Sequence, residues 1–192
     1  MRLTPADLEF RFTPHRLCLD FLATVGERAH RDIERLTSTD RYAEWCVKAD
    51  VLDEPPLMSE DDLTAAKDFR SVLERLTEAY MAERRPDAAD VSALNEFARR
   101  PVPRAIVRRD EWRVLRAADA PGPAVIAAVA RDFLDLVRRG DASRVKRCVD
   151  PTCGMLFLDA SRAGNRQWCA VEGRGCGNKA KKRAFRSRQA LA

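Results

Sequence analysis

Apolar residues recur every three or four positions through much of the first 140 residues. The clearest stretch spans residues 59–84, where Ser59 stands three residues before Asp62 in the pattern of a helix N-terminal capping box. This stretch predicts the longest helix of the chain, with an inward face formed by Leu63, Ala66, Phe69, Leu73, Leu76 and Tyr80.

Shorter stretches of the same period predict four more helices in this part of the chain. They are residues 15–29, a short helix capped by Thr39 or Asp40 before Pro55-Pro56, residues 90–99, and residues 124–139. Between Pro101 and Ala118 the pattern changes to two apolar runs around a charged turn, which predicts a small β-hairpin. Gly140 ends the last of these helices, so a domain of residues 1–140 is predicted.

Four cysteines in the last fifty residues form two close pairs. Cys148 and Cys153 are separated by four residues, Cys169 and Cys176 by six, and fifteen residues lie between the pairs. Tetrahedral zinc takes its ligands readily from two such turns. In the first turn Pro151 fixes one φ angle, and Gly154 can adopt a positive φ beyond the second ligand. An apolar strand at 155–158, a polar turn and residues 166–168 predict a two-stranded ribbon that brings the pairs together.

Two disulfides or four unrelated thiols are the alternatives to a metal site. The N-terminus lacks the apolar run of a signal peptide and no stretch is long enough to cross a membrane, so a reducing cytoplasm is expected. About fifty residues bury too little apolar surface to fold alone, whereas structural zinc contributes on the order of 10 kcal/mol or more. We therefore predict one zinc ion per chain; with four cysteine ligands no position is open for water, so its role is structural.

Positive charge is concentrated in the same segment. Residues 141–192 carry a net charge of +8, which leaves −3 of the total of +5 for residues 1–140. A final helix capped by Asn178 would place cations on one face, where they can meet phosphates or guanine edges of duplex DNA. A solvated helix end is the alternative interpretation. The predicted DNA-binding residues are Arg162, Arg166, Asn178, Lys179, Lys181, Lys182, Arg183 and Arg186.

Catalysis has few candidate residues. His15 and Cys18 are three residues apart on the predicted first helix, but Cys18 lies in an apolar run typical of a buried thiol. Cys46 beside Trp45 has the same interpretation, and His30 is expected at the surface. No phosphate-binding glycine loop is present. We therefore predict that the chain is not an enzyme.

RNA or a protein is the alternative partner for the basic segment. RNA recognition usually requires exposed aromatic side chains, and this segment offers only Phe157, Trp168 and Phe185. The first two are needed for a small core around the metal, so double-stranded DNA is preferred. One such module reads few base pairs, so useful specificity implies a homodimer or an additional contact.

Two sets of residues carry a resemblance to a known family. In the cysteine segment they are Arg147-Cys148, Cys153-Gly154, Phe157-Leu158-Asp159, Ser161-Arg162, Arg166, Trp168-Cys169, Cys176-Gly177-Asn178-Lys179 and Lys181, and in the front half they are Leu17-Cys18-Leu19-Asp20-Phe21, Thr24, Arg28, Leu36 and Trp45. With these residues the chain resembles the CGNR zinc finger family, in which the finger follows an N-terminal ABATE domain. The resemblance implies a bacterial, stress-induced transcription regulator. In such a regulator we expect the helical domain to dimerise or to sense a small-molecule effector.

The chain departs from the family pattern at three places. Lys179 replaces the signature arginine, which keeps the charge but loses the planar guanidinium fork. The spacer of the second cysteine pair is two residues longer than expected, and its glycines favour an outward bulge. Ala23 stands where the family commonly has asparagine.

The sequence thus predicts a mainly α chain in two domains. Residues 1–140 form a helical, ABATE-like domain with a small β-hairpin, and residues 141–192 form a small zinc-ribbon-like finger that ends in a basic helix. The expected protein is a cytoplasmic DNA-binding regulator with no membrane segment.

Overall fold

The computed structural model describes residues 3–12, 16–108, 112–170 and 175–189. Within them the chain is mainly helical, with three two-stranded antiparallel sheets. In chain order the elements are α1 (Leu17–Leu22), β1 (Val25–Gly26), β2 (Ile33–Glu34), α2 (Thr39–Lys48), α3 (Glu60–Met81), α4 (Ala88–Ala98), β3 (Arg104–Arg108), β4 (Arg113–Ala117), α5 (Pro121–Arg138), β5 (Val145–Arg147), β6 (Leu156–Leu158) and α6 (Cys176–Gln189).

The chain divides into two compact units. The helical unit comprises Arg35–Ala142, and the cysteine unit joins Met1–Glu34 to Ser143–Ala192. Residues 1–34 are thus grouped with the cysteines, whereas the sequence placed them in the same domain as the helices. That residues 1–140 fold independently of the finger stays a prediction. Because residues 1–34 are grouped with the cysteines, the prediction requires that this segment fold without them.

The helical unit is built around α3. This helix packs against α2, α4 and α5, and α4 packs against α5. Aromatic contacts join these helices: the Phe69 and Phe97 rings lie 4.9 Å apart, and Tyr80 meets Phe133 edge-on at 6.4 Å. The apolar face predicted for residues 59–84 therefore forms the centre of this core.

The predicted capping box at the start of α3 is confirmed. The Ser59 hydroxyl accepts a hydrogen bond from the Asp62 N–H at 3.1 Å, and the Asp62 carboxylate accepts one from the Ser59 N–H at 3.0 Å. The helix ends at Met81, three residues before the predicted end at 84. Glu83 adopts a positive φ of 49° and the Arg84 N–H donates back to the Ala79 carbonyl, which closes the helix.

The predicted hairpin at 101–118 is confirmed, with Ile106 opposite Leu115 in β3 and β4. Its turn at 109–111 lies outside the described residues. The starts of α2, α4 and α5 differ from the prediction, and α4 begins at Ala88 rather than at residue 90. Ser38, not Thr39 or Asp40, caps α2, and α5 begins at Pro121 rather than at 124 because proline without an N–H is well suited to the first helical turn.

The first helix is shorter than predicted. It ends at Leu22, and Val25–Gly26 instead pairs with Ile33–Glu34 as a β-ladder. The Thr24 hydroxyl donates to the Phe21 carbonyl at 2.6 Å, and Glu27 adopts a positive φ of 49°. Both features turn the chain, so the apolar period that continues to Val25 does not mark a helix. Residue 15 lies outside the described residues.

The strand partner in the cysteine unit also differs from the prediction. Residues 156–158 pair with Val145–Arg147, which precede the first cysteine, and not with residues 166–168. Helix α1 contacts β6 in the same unit. Helix α6 begins at Cys176, so Asn178 lies inside it and does not cap it. Among the described residues no helix is long and apolar enough to cross a membrane.

Candidate zinc centre and nucleic-acid interface

The four predicted ligands converge on one point. The Sγ atoms of Cys148, Cys153, Cys169 and Cys176 lie within 4.8 Å of one another, and all four residues are buried. The Sγ atom of Cys169 is 3.8 Å from that of Cys153 and 3.7 Å from that of Cys176. A zinc ion about 2.3 Å from each of four tetrahedral sulfurs separates them by about 3.8 Å, whereas a disulfide requires about 2.05 Å. The cysteines therefore fit one structural zinc ion.

The first cysteine pair is held in a tight turn after β5. The Cys148 N–H donates to the Met155 carbonyl at 2.8 Å, and the Cys153 N–H donates to the Asp150 carbonyl at 3.0 Å. Gly154 has a φ of 64°, as predicted, and the Met155 N–H is directed at the Cys153 sulfur. An N–H directed at a thiolate stabilises its negative charge.

The second pair joins a loop to the start of α6. The Gly177 N–H donates to the Ala170 carbonyl at 2.9 Å, which fixes the loop against the first turn of the helix. Cys176 belongs to that first turn, where the N-terminal end of the helix dipole favours negative charge. The bulge predicted for the longer spacer lies at 171–174, outside the described residues.

Residues from the N-terminal segment complete the core around the cysteines. Ala23, 3% exposed, clusters with the four cysteines, Met155 and the fully buried Phe157, with Trp168 and Ala170 packed against them. A Cβ added to Gly154 would lie 3.2 Å from the backbone nitrogen of Ala29. The position where the family commonly has asparagine thus belongs to the hydrophobic core of the metal centre.

Asp159 is the polar hub of the cysteine unit. One carboxylate oxygen accepts hydrogen bonds from the Lys146 ammonium and the Arg166 N–H, both at 2.8 Å, and the other accepts from the Ser161 hydroxyl at 2.6 Å. Burial of this side chain acts to raise its pKa, but the hydrogen bonds from Lys146 and Ser161 outweigh it and hold the pKa below its ordinary value. Asp159 therefore ties β5 to the loop before Cys169.

Asp150 anchors α6 to the first cysteine turn. Its buried carboxylate accepts hydrogen bonds from the Arg183 guanidinium and the Thr152 hydroxyl, both at 2.8 Å. Burial raises the pKa of Asp150, and the hydrogen bonds from Arg183 and Thr152 lower it to a net value below the ordinary one. This ion pair fixes the rotation of α6 about its axis.

The predicted DNA-binding residues fall into two groups. Arg166 donates to the carbonyls of Trp168 and Cys169 and lies 4.8 Å over the Phe157 ring, and Arg183 is paired with Asp150. Asn178 is half-buried in the first turns of α6. The remaining five are exposed: Arg162, Lys179, Lys181, Lys182 and Arg186.

Family models match the chain in two consecutive segments. Residues 15–140 match the ABATE model, described as "Putative stress-induced transcription regulator", and residues 144–189 match the CGNR zinc finger. The chain belongs to the ABATE family and carries a CGNR zinc finger. No curated protein matches it. The boundary between the two models falls at 140–144, whereas the compact cysteine unit also contains residues 15–34 of the ABATE segment.

Neither matched family is enzymatic, and the cysteines outside the finger have the setting of structural residues. Cys18 and Cys46 are completely buried, and burial raises the pKa of the Cys46 thiol. A protonated, inaccessible thiol is a poor nucleophile. His30 is exposed, as predicted, and the predicted neighbour of Cys18, His15, lies outside the described residues.

Sequence reasoning missed the internal role of several polar residues in the finger. Lys146 binds both Asp159 and the Gly164 carbonyl, and Arg144 donates to the carbonyls of Asp159 and Ser161 at 3.0 Å. The available signal was an aspartate next to an apolar strand in a basic segment. Several cations of the segment could bind such an isolated carboxylate, and the periodicity of the sequence does not identify the one that does.

Proposed function

We propose that this ABATE-family chain is a transcription regulator that binds double-stranded DNA through the exposed face of α6. The proposal rests on one observation: after the internal ion pairs are assigned, Lys181, Lys182 and Arg186 are exposed, and the described residues offer them no acidic partner. Unneutralised cations on a fixed helix are suited to phosphate oxygens, and Arg186 can also bond guanine.

The internal contacts support this assignment. Arg183 is held by Asp150, so α6 is fixed against the finger while Lys181, Lys182 and Arg186 stay exposed. A helix held in this way loses little side-chain and backbone freedom on binding, which favours affinity. Lys179, an exposed cation two helical turns before Arg186, is also part of the proposed DNA contact.

RNA is less well supported as the ligand. Of the three aromatic residues in the finger, Phe157 is fully buried and Trp168 packs against the zinc core. Only Phe185 remains for stacking, whereas single-stranded recognition usually uses several aromatic platforms.

The proposal extends to the whole chain. A single finger helix reads few base pairs, so we include a homodimer that presents two fingers to one site. The helical unit would supply that dimerisation or bind a small-molecule effector, and a cytoplasmic location follows from a DNA ligand in a bacterial cell.

The first experiment is a binding selection from random duplex DNA with the purified zinc-loaded protein, and a parallel selection from RNA. We expect an enriched duplex sequence. An enriched RNA sequence with no duplex preference would contradict the proposal.

The second experiment measures affinity against salt for single variants. If about five exposed cations meet phosphates, the logarithm of affinity falls against log salt with a slope near −4 to −5, because each contact contributes about −0.9. Lys182→Ala should reduce that slope by about one unit, and Lys179→Ala tests the signature position in the same way. The matched control is Arg85→Ala, an exposed arginine of the helical unit. Unchanged affinity and slope in Lys179→Ala and Lys182→Ala, with zinc retained, would contradict a role for α6.

A further inference from the structure

Phe185 is an exposed aromatic residue in the middle of the basic face of α6. More than half of its side chain, 55%, is open to solvent. Lys181 and Lys182, four and three residues earlier, are its neighbours on the helix surface, and Arg186 follows it. These four side chains line one shallow depression.

The surroundings of Phe185 restrict what can cover it. The buried side of α6 contains Cys176 and Gly177, so the ring is not needed for the core of the finger. An apolar protein surface placed on Phe185 would also bury three cations without partners, which is strongly unfavourable. The occupant must therefore carry negative charge around a small apolar group.

Duplex DNA has this chemistry in its major groove. Phosphates border the groove, and the C5 methyl of thymine is the apolar group on its floor, where side chains such as phenylalanine contact it. From Lys181 to Arg186 the helix advances by five steps and rises about 7.5 Å, which corresponds to about two base-pair steps of 3.4 Å. The ring and its flanking cations therefore suit one thymine and the phosphates beside it.

We infer that Phe185 reads a thymine methyl group, so that α6 prefers a thymine at one position of its site. This inference rests on the proposed function, because it assigns a specificity residue within the proposed DNA contact. Lys181 and Lys182 then hold the backbone, and Arg186 can bond a neighbouring base.

The test replaces each thymine of the selected duplex in turn with deoxyuridine, which lacks only the methyl group. For the wild-type protein, affinity should fall about fourfold at one position, the contribution of one buried methyl group. Phe185→Ala should bind the thymine duplex more weakly and show no further loss with deoxyuridine. Lys181→Ala is the matched control: it should weaken binding to both duplexes equally and keep the fourfold ratio. Zinc content and the circular dichroism spectrum verify that each variant is folded.

Four outcomes would overturn the inference. Duplex binding with no deoxyuridine effect at any position removes this inference and leaves the proposed function intact. A Phe185→Ala defect larger on single-stranded RNA or DNA than on duplex would assign the ring to base stacking. A defect confined to binding of phosphatidylserine vesicles would assign it to a membrane surface. Absence of all duplex binding would remove the proposed function as well.

Discussion

The two compact units are stabilised in different ways. The helical unit buries large side chains from several helices, among them Trp45, Phe69, Leu73 and Ile126. The cysteine unit has a small apolar cluster around four thiols, and two buried aspartates, Asp150 and Asp159, are bound to nearby cations. The first unit depends on apolar area and the second on a metal and a polar network, so the two should respond to different perturbations.

The comparison also shows that a count of basic residues overstates a binding surface. In the finger, Arg144, Lys146, Arg166 and Arg183 bind acceptors within the cysteine unit. A small domain that lacks a large hydrophobic core uses part of its positive charge to hold itself together. Only the basic residues that make no such internal contact are available to bind a ligand.

Metal removal is expected to have the largest effect, and to affect the cysteine unit much more than the helical unit. Chelation, or Cys148→Ser, should release zinc and unfold the cysteine unit, because structural zinc contributes on the order of 10 kcal/mol. Hydrogen exchange should show that α1 loses protection together with the finger while α3 keeps it, since α1 packs on β6.

Two controls sharpen this result. Cys18→Ser and Cys46→Ser should retain one zinc ion per chain by elemental analysis. Protection of α1 that survives zinc loss would instead support a boundary near residue 140, and full zinc retention in Cys148→Ser would refute the ligand assignment.

A smaller effect is expected at the polar hub of the cysteine unit. Asp159→Asn removes the negative charge that accepts hydrogen bonds from the Lys146 ammonium and the Arg166 N–H. The new amide can also place its N–H₂ group against these donors. We expect a loss of about 2 kcal/mol in the unfolding free energy of this unit, measured by urea titration of the zinc-loaded protein. Asp68→Asn, an exposed position of α3, should change it by less than about 0.5 kcal/mol. Equal effects of the two substitutions would argue against Asp159 as a structural hub.

Two glycines with similar backbone angles offer a matched test of the N-terminal packing. Gly154 and Gly164 have φ angles of 64° and 59°, so alanine at either costs roughly 1–2 kcal/mol in backbone strain. Only at Gly154 would the added Cβ press on backbone, the nitrogen of Ala29; at Gly164 the nearest atom is 3.8 Å away on the flexible Arg144 side chain. Gly154→Ala should therefore lower the melting temperature more than Gly164→Ala. The same decrease for both would mean that residues 28–29 do not constrain the turn.

The smallest effect concerns acid sensitivity of the helical unit. The Asp90 carboxylate accepts hydrogen bonds from Arg75 at 2.5 and 2.9 Å, which hold the pKa of Asp90 below its ordinary value of 3.8. Its contribution to stability is therefore fully present above about pH 3.8 and is lost as the pH falls through the lower folded-state pKa. Asp90→Asn should lose less stability than wild type between pH 5 and pH 2, measured by hydrogen exchange in α3 and α4. An identical pH profile for both proteins would contradict this role.

The sequence predicted the features that depend on neighbours along the chain. The capping box of Ser59 and Asp62, the apolar face of α3 and the presence of a hairpin between Pro101 and Ala118 all follow from residues a few positions apart. The zinc ligands were also predictable, because a metal site requires a limited set of residue types at restricted spacings.

Contacts between distant segments were decided by the tertiary structure. The pairing of β6 with β5, the end of α1 before Val25 and the inclusion of Ala23 in the metal core each depend on residues that local periodicity does not relate. The same is true of the cations: Arg183 and Arg186 are neighbours one turn apart on α6, yet Arg183 binds a buried carboxylate 33 residues away and Arg186 is exposed. Sequence determines which groups are available, whereas electrostatic partners are selected by distance in space, and that distance exists only after the chain has folded.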